Sequence, residues 1–258
     1  MKLNAIVTVL CLGASTTAFA DPFVANAPAP SPIASAPAGE QSLQSIANGL
    51  FGPGAINVNT GQSSAGMFSS TTPSFASSIP TLVAEFTANS STQAFGIWFG
   101  TDTTHVVNFD LLLGGATAGS AVGMTINGHT LNVFGPSGCG TAFNCGSFSN
   151  ALINPTSFGF YFRASATAPT YYSLDQLNAG PRPDRVVSFQ NGTSTNWLFA
   201  YEDGTDFDYN DMAVKVESIS APVPEPETYA LMLGGLGALG FMSRRRKRLE
   251  TACSGMST

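Results

Sequence analysis

A chain of 258 residues, of which 43% are hydrophobic and only 10% charged, is long enough for one domain with a substantial core and flexible flanks. Sixteen Asp and Glu residues outnumber ten Lys and Arg residues, which gives a formal net charge of −6, and six of the ten cations lie at Lys2 and in the cluster 244–248. The acidic body between these ends excludes nucleic acid as a partner and is better suited to divalent cations.

The first twenty residues have the pattern of a secretory signal peptide. Lys2 precedes an apolar stretch over residues 5–13, and a small-x-small cleavage sequence ends at Ala20. We therefore predict that residues 1–20 engage the general secretion machinery and signal peptidase, and that the mature protein begins at Asp21.

Residues 21–80 are rich in Pro, Ala and Ser and are predicted to form a low-complexity linker. Four prolines between Ala27 and Gly39 favour a stiff, extended chain. A short helix is predicted inside this linker over residues 41–51 because one of its faces is apolar. The residues of that face are Leu43, Ile46, Ala47 and Leu50.

From residue 81 to 220, short apolar runs alternate with Gly, Asn, Asp and Pro. Some runs have period two, so that Trp197, Phe199 and Tyr201 share one face. An Asn-Gly pair at 127–128 supplies residues that accept the positive φ of a tight hairpin turn. We predict an all-β domain, an antiparallel β-sandwich of jelly-roll type. Its predicted strands cover residues 82–87, 94–99, 105–113, 121–127, 129–134, 157–164, 184–189, 196–202 and 212–218.

Two of the four cysteines, Cys139 and Cys145, lie close together in a Gly-rich stretch of the predicted domain. In an exported chain such a pair is predicted to form a local disulfide that pins the loop. A metal site is disfavoured there, because the chain has only two histidines and neither is near in sequence.

The acidic turn, residues 202–211, holds five acids and no base. Asp206, Asp208 and Asn210 have the parity of the core-facing residues in the next predicted strand, so a straight extension of that strand would bury their oxygens. Because unpaired buried carboxylates are costly, either the chain turns before Asn210 or a cation neutralises the cluster. Oxygen ligands at alternating positions suit calcium. The candidate ligands are Asp203, Asp206, Asp208, Asn210 and Asp211.

Two other interpretations compete with a cation site in the acidic turn. A solvated loop, in which carboxylates accept hydrogen bonds from nearby backbone N–H groups, explains the composition equally well. An EF-hand loop is rejected, because Asp211 occupies the position that requires Gly and residues 213–217 alternate like a strand.

The stretch from Trp197 to Asp203, followed by Asp206 to Val214, resembles the C-terminal signature of an uncharacterised β-sandwich family. That family occurs in secreted bacterial proteins, with a Phe-Glu-Asp strand and an Asp-x-Asp-Tyr/Phe-Asn-Asp strand entry. The resemblance implies extracellular placement and is compatible with calcium. It implies no reaction, because the family has no assigned one.

The C-terminal region has three ordered features within residues 222–248. Pro224-Glu225-Pro226 should be extended and accessible, an apolar run at 229–242 can enter a membrane, and five cations at 244–248 should stay in the cytoplasm. This order resembles the PEP-CTERM sorting signal, which a membrane enzyme of the exosortase family recognises. The resemblance implies export, exosortase processing and a cytoplasmic tail over residues 249–258. The predicted sorting and processing positions are Ala20, Asp21, Val223, Pro224, Glu225, Pro226, Arg244, Arg245, Arg246, Lys247 and Arg248.

The apolar run at 229–242 would be only about 21 Å long as a helix, which is short for a membrane span. Glycines at four of its positions weaken the helix further. We therefore predict a temporary anchor in the inner membrane, followed by release to the cell envelope or the extracellular space.

The sequence contains no nucleophile elbow, zinc-protease helix or phosphate-binding loop. We expect a non-enzymatic surface protein with a structural or adhesive role in exopolysaccharide or a biofilm matrix. A carbohydrate-binding module is the alternative, because Trp98, Tyr171 and Tyr172 could stack on sugar rings. A glycoside hydrolase ranks third, since its paired carboxylates follow no fixed sequence spacing.

Overall fold

The fold comes from a computed structural model that describes Phe23, Asn26 and residues 33–71, 76–78, 81–85, 91–135, 138–180 and 184–221. Up to Ser220, these residues belong to one compact unit of the chain. The predicted signal peptide, sorting segment and cytoplasmic tail lie outside the described residues.

The described chain contains one α-helix, one short 3-10 helix and fifteen strands. The helices are α1 (Leu43–Phe51) and the 3-10 helix Asp175–Leu177. The strands are β1 (Gln62–Ser63), β2 (Ser69–Ser70), β3 (Ala76–Ser78), β4 (Thr81–Glu85), β5 (Ala94–Asp102), β6 (His105–Leu113), β7 (Gly123–Asn127), β8 (Thr130–Phe134), β9 (Gly146–Ser149), β10 (Gly159–Arg163), β11 (Thr170–Tyr172), β12 (Val186–Gln190), β13 (Trp197–Tyr201), β14 (Met212–Val216) and β15 (Ile219–Ser220).

Every strand pair is antiparallel, which confirms the predicted fold class. The back sheet has the order β1-β12-β13-β14-β4, and the front sheet has the order β11-β10-β5-β6. A third sheet, β3-β7-β8-β9, and a two-stranded ribbon, β15-β2, complete the arrangement. All nine predicted strands are present, and the six that were not predicted are β1, β2, β3, β9, β11 and β15.

Aromatic side chains join the front and back sheets into a sandwich. Phe160 of the front sheet lies 4.9 Å from Phe199 of the back sheet, measured between ring centroids, and Phe162 lies 5.5 Å from Tyr201. Phe68 packs edge-on against Phe199 at 5.1 Å. All five rings are buried, and such edge and tilted contacts stabilise a core beyond the burial of their area.

The predicted linker is wrong for residues 43–70, which pack into the domain. The side chain of Ser42 caps α1 by accepting a hydrogen bond from the Ser45 N–H at 3.3 Å. The apolar face of α1 buries Leu43, Ile46 and Ala47. This face covers the outer side of the back sheet, in one cluster with Val187, Phe189, Leu198, Ala200, Tyr209 and Ala213. The predicted helix is confirmed.

Residues 43–70 pack against the domain because the central strand β13 needs a cover on both of its faces. All five of its residues are buried, so both faces of this strand need a covering layer. The front sheet covers the face of Phe199 and Tyr201, and α1 covers the face of Leu198 and Ala200. Strands β1 and β2 hold the same segment by pairing with β12 and β15.

Two other predictions concern the cysteines and the membrane. Cys139 and Cys145 are brought together with their Cα atoms 6.0 Å apart, a separation that a disulfide spans. No helix in the described part of the chain is long and apolar enough to cross a membrane. The apolar run predicted to enter the membrane, at 229–242, lies outside that part.

Candidate cation site in the acidic turn

The acidic turn connects the paired ends of two central strands, since Tyr201 of β13 lies opposite Met212 of β14. Within it, Phe207 and Tyr209 both adopt a left-handed conformation, with φ of 56°. Residues other than glycine rarely adopt this backbone conformation. Each one destabilises the fold by about 1 kcal/mol or more and persists only when its surroundings hold it. The chain therefore does turn before Asn210, as one of the two expectations required.

Contacts with the N-terminal segment hold this strained turn in place. The Ala34 N–H donates a hydrogen bond to the Phe207 carbonyl at 2.8 Å. The Asn210 Nδ2 donates to Glu40 Oε2 at 3.2 Å and to the Gln41 carbonyl at 3.3 Å. The turn is thus wedged between the back sheet and the chain that leads into α1.

Despite the turn, three of its polar side chains are buried. Glu202 is 0%, Asp208 1% and Asn210 1% exposed. Glu202 Oε1 accepts from the Gly204 N–H at 2.7 Å, and Asp208 Oδ1 accepts from the Asn210 N–H at 3.3 Å. The other oxygens, Glu202 Oε2, Asp208 Oδ2 and Asn210 Oδ1, are buried without a hydrogen-bond partner among the described residues. Buried acceptors of this kind are rare in folded proteins, and an ordered water or a bound ion is their usual partner.

The carboxylate oxygens of this turn also converge. One oxygen from each of Glu202, Asp206 and Asp208 lies within 4.8 Å of the others, and Asp206 is the exposed member of the group. Calcium binds oxygens at about 2.3–2.6 Å, so a single ion can touch ligands whose mutual separations are near this limit. The exposed Asp206 side leaves a route for the ion and for water ligands.

The electrostatics of the cluster are unfavourable for the metal-free carboxylates. Burial, together with the charge of Asp206, raises the pKa of Glu202. Burial also raises the pKa of Asp208, with Asp206 and Glu40 adding to the effect. No Lys or Arg of the described chain forms an ion pair with any of these carboxylates. A bound cation would supply the missing positive charge.

The structure divides the predicted ligands into two groups. Asp206 and Asp208 lie in the oxygen cluster, and Asn210 contributes one of the unpartnered oxygens. Asp203 and Asp211 instead contact each other, since the Asp203 N–H donates to Asp211 Oδ2 at 2.6 Å. Burial raises the pKa of Asp211 to about 8, and the neighbouring charge of Asp203 contributes.

Glu202 was not among the predicted ligands, although it has the most buried carboxylate of the turn. A signal for it exists in the sequence, because Glu202 has the same parity as Asp206, Asp208 and Asn210. It directly follows the fully buried strand β13, whose end fixes its side chain next to the turn.

A cleft of about 700 Å³ opens beside the acidic turn. Its described lining residues include no Asp or Glu, and they are Pro169, Thr170, Tyr171, Tyr172, Leu177, Ala179, Arg185 and Phe207. The three aromatic residues predicted to stack on sugar rings lie in different environments. Tyr171 and Tyr172 line the cleft, whereas Trp98 is fully buried and cannot stack on a ligand, so that part of the prediction is wrong.

Outside the lining of this cleft, the carboxyl groups of Asp175 and Asp184 share a hydrogen bond. Burial, then the charge of Asp184, raises the pKa of Asp175 to about 7. The folded protein therefore keeps a proton that the unfolded chain releases near pH 4, and its stability falls as the pH rises through about 7. Because the pair is only half-buried and solvent screens it, we expect this loss to be about 1–2 kcal/mol.

Replacing Asp175 by Asn should remove that part of the pH dependence. Urea unfolding of both proteins at pH 5 and pH 8, with calcium held constant, measures the difference. A variant whose stability changes with pH as much as that of the wild type would contradict the assignment.

The described residues form an all-β sandwich with a buried, oxygen-lined turn between two of its central strands. A family model described as the PEP-CTERM protein-sorting motif matches residues 222–247. The chain thus carries the sorting motif of exported proteins that exosortases process, as predicted over residues 222–248. No curated protein and no solved structure matches the chain. The resemblance of its sandwich to an uncharacterised secreted family stays a prediction.

Proposed function

We propose that this exported protein is a non-enzymatic component of the cell surface, with a structural or adhesive role in exopolysaccharide or a biofilm matrix. We further propose that calcium in the acidic turn stabilises its sandwich outside the cell. The observation that carries the calcium proposal is the set of unpartnered buried oxygens on Glu202, Asp208 and Asn210. The sorting motif at 222–247 supports the placement at the surface.

The donor set favours calcium over other common metals. The three converging ligand atoms are carboxylate oxygens, and no histidine or cysteine belongs to their cluster. Asn210, in the same turn, adds a buried amide oxygen without a hydrogen-bond partner. Zinc prefers nitrogen and sulfur ligands, and magnesium requires a near-ideal octahedron at shorter distances. Calcium accepts irregular oxygen sites, and weak sites suffice in extracellular modules.

The sorting proposal predicts a change in mass and in location. The mature protein should lack the tail, because cleavage near Pro224-Glu225-Pro226 would separate the body from the membrane anchor. Replacing these three residues by alanines should leave an uncut form in the membrane fraction. Intact mass spectrometry and fractionation test this prediction, and a full-length chain as the normal secreted product would contradict it.

The surface role predicts that the mature protein stays with the organism's own exopolysaccharide. We expect the two to co-sediment from culture supernatant, and we expect a chelator to reduce the retained fraction. Protein that remains entirely in the soluble fraction, with and without calcium, would contradict the matrix role.

The second candidate function is a carbohydrate-binding module, and the cleft beside the acidic turn favours it. Tyr171 and Tyr172 present aromatic rings there, and Arg185 supplies a charged donor. A glycoside hydrolase has less support, because two opposed carboxylates are needed and none lines the described part of the cleft.

A further inference from the structure

The cleft beside the acidic turn is built from three separate parts of the fold. Tyr171 belongs to the edge strand β11 and Leu177 to the short 3-10 helix, and Arg185 directly precedes β12. Phe207, from the acidic turn itself, completes the wall. The cleft therefore exists only when the edge of the front sheet, the helix and the turn are all in place.

Arg185 is the single cation among the described lining residues of this cleft. Its guanidinium carbon lies 5.3 Å from the centre of the Tyr171 ring and 5.0 Å from that of Phe207, within the range of cation–π contacts. One of its nitrogens, Nη1, donates to the Gly204 carbonyl at 2.6 Å. No ion pair joins Arg185 to a carboxylate of the described chain.

This arrangement fixes a guanidinium without neutralising it. A guanidinium has five N–H donors, and its planar fork matches a carboxylate through two parallel hydrogen bonds. The contacts with the two rings and with Gly204 hold the guanidinium in position. Less side-chain entropy is therefore lost when a ligand binds to it. Aromatic rings at the same place offer apolar surface to the C–H face of a sugar.

We propose that this cleft binds a carboxylate-bearing sugar, a uronic acid residue of an acidic polysaccharide, with Arg185 as the anchor of its carboxylate. This inference rests on the proposed association with exopolysaccharide and names the site and the ligand class. The ligand is anionic because the described cleft offers a positive charge and no negative one.

The cleft also depends on the cation site. Phe207 lies between Asp206 and Asp208, and Gly204 lies two residues after Glu202, so both contacts of Arg185 with the turn belong to the same loop as the cluster oxygens. A cation that fixes this loop fixes the wall of the cleft. Binding of the sugar and of calcium is therefore cooperative, and each strengthens the other by the same factor.

The test uses the mature protein and two short probes, a trimer of galacturonic acid and the neutral trimer maltotriose, titrated with calcium and with a chelator. Short probes avoid the gels that calcium forms with long uronate chains. We expect the acidic trimer to bind, the neutral trimer to bind at least about tenfold more weakly, and the chelator to weaken binding several-fold.

Three variants locate the site. Arg185→Gln removes the anchor and should weaken binding of the acidic trimer by at least about tenfold. The Arg185→Gln variant also loses the hydrogen bond to the Gly204 carbonyl, so a second variant is needed. Ala179→Trp fills the cleft from an exposed lining position and removes no hydrogen bond. Lys215→Gln removes the same charge from β14, away from the cleft, and should leave binding unchanged.

The outcomes separate this inference from the proposed function. If the wild type does not bind the acidic trimer, or if Arg185→Gln and Ala179→Trp bind it normally, the cleft assignment is wrong even when native exopolysaccharide is retained. Equal binding of the two trimers would overturn the acidic specificity, and equal binding with and without calcium would overturn the cooperativity. Loss of retention on native exopolysaccharide alone would overturn the matrix role instead.

Discussion

Replacing Ile46 by Asp is expected to unfold or severely destabilise the domain, although this residue lies in a segment that the sequence marks as a linker. Ile46 is 3% exposed and packs into the cluster that covers the outer side of the back sheet. Loss of a buried Ile side chain costs about 2–5 kcal/mol, and a buried carboxylate without a partner adds further cost. Together these effects approach the whole stability of an ordinary domain, about 5–15 kcal/mol.

The control for this prediction lies on the opposite face of α1. Ser45 is exposed, and its replacement by Asp introduces the same charge into solvent. We expect the free energy of unfolding of Ser45→Asp to lie within about 0.5 kcal/mol of the wild-type value, as is usual for surface substitutions. Urea unfolding of the three proteins measures the difference. Equal stability of Ile46→Asp and Ser45→Asp would show that α1 does not cover the sheet in solution.

Replacing Asp208 by Asn is expected to have opposite effects with and without calcium. In the wild type, calcium at one hundred times its Kd should stabilise the fold by about 2.7 kcal/mol. For a domain of this size, that raises Tm by about 5–10 °C. In a chelator, Asp208→Asn should be more stable than the wild type, because it removes a buried charge that faces Asp206 and Glu40. The variant should gain little from calcium.

A second pair of variants tests which carboxylates belong to the site. Glu202→Gln should lose most of the calcium response, since one of its carboxylate oxygens belongs to the cluster. Asp203→Asn should keep the response, because the carboxylate of Asp203 lies outside that cluster. The reverse result in thermal melts would support the ligand set predicted from the sequence, and would falsify the one defined by the structure.

Local patterns accounted for much of this fold. Alternation in Trp197, Phe199 and Tyr201 identified a core-facing strand, and the apolar face at Leu43 and Ile46 identified α1. The short strands were missed because two- and three-residue strands such as β1 and β15 have no period to detect. Their pairing depends on neighbours far along the chain, which local composition does not encode.

The sequence did contain a sign that the predicted linker packs against the domain. The run Trp197–Tyr201 is apolar at every position, which is typical of a strand covered on both faces. A sandwich partner covers only one face, so another element was required. The Pro-rich composition before Glu40 concealed that α1 is this element, because composition describes flexibility and not tertiary contacts.

Parity required either a turn before Asn210 or a neutralising cation, and the chain does turn there, but parity did not predict the geometry of the turn. Positive φ at Phe207 and Tyr209 could not be anticipated, since neither residue type favours it and the contact with Ala34 that holds it is distant in sequence. That backbone path turns Asp203 and Asp211 toward each other and brings Glu202 to Asp206 and Asp208.

The most direct test of the calcium site is a calorimetric titration of calcium into the chelator-treated mature protein. The structure predicts one ion per chain, with a Kd in the range of extracellular modules, about 10⁻⁴–10⁻³ M. Asp208→Asn should show no binding, and Asp203→Asn should bind as the wild type does. Absence of binding by the wild type at millimolar calcium, or equal binding by Asp208→Asn, would contradict the cation site.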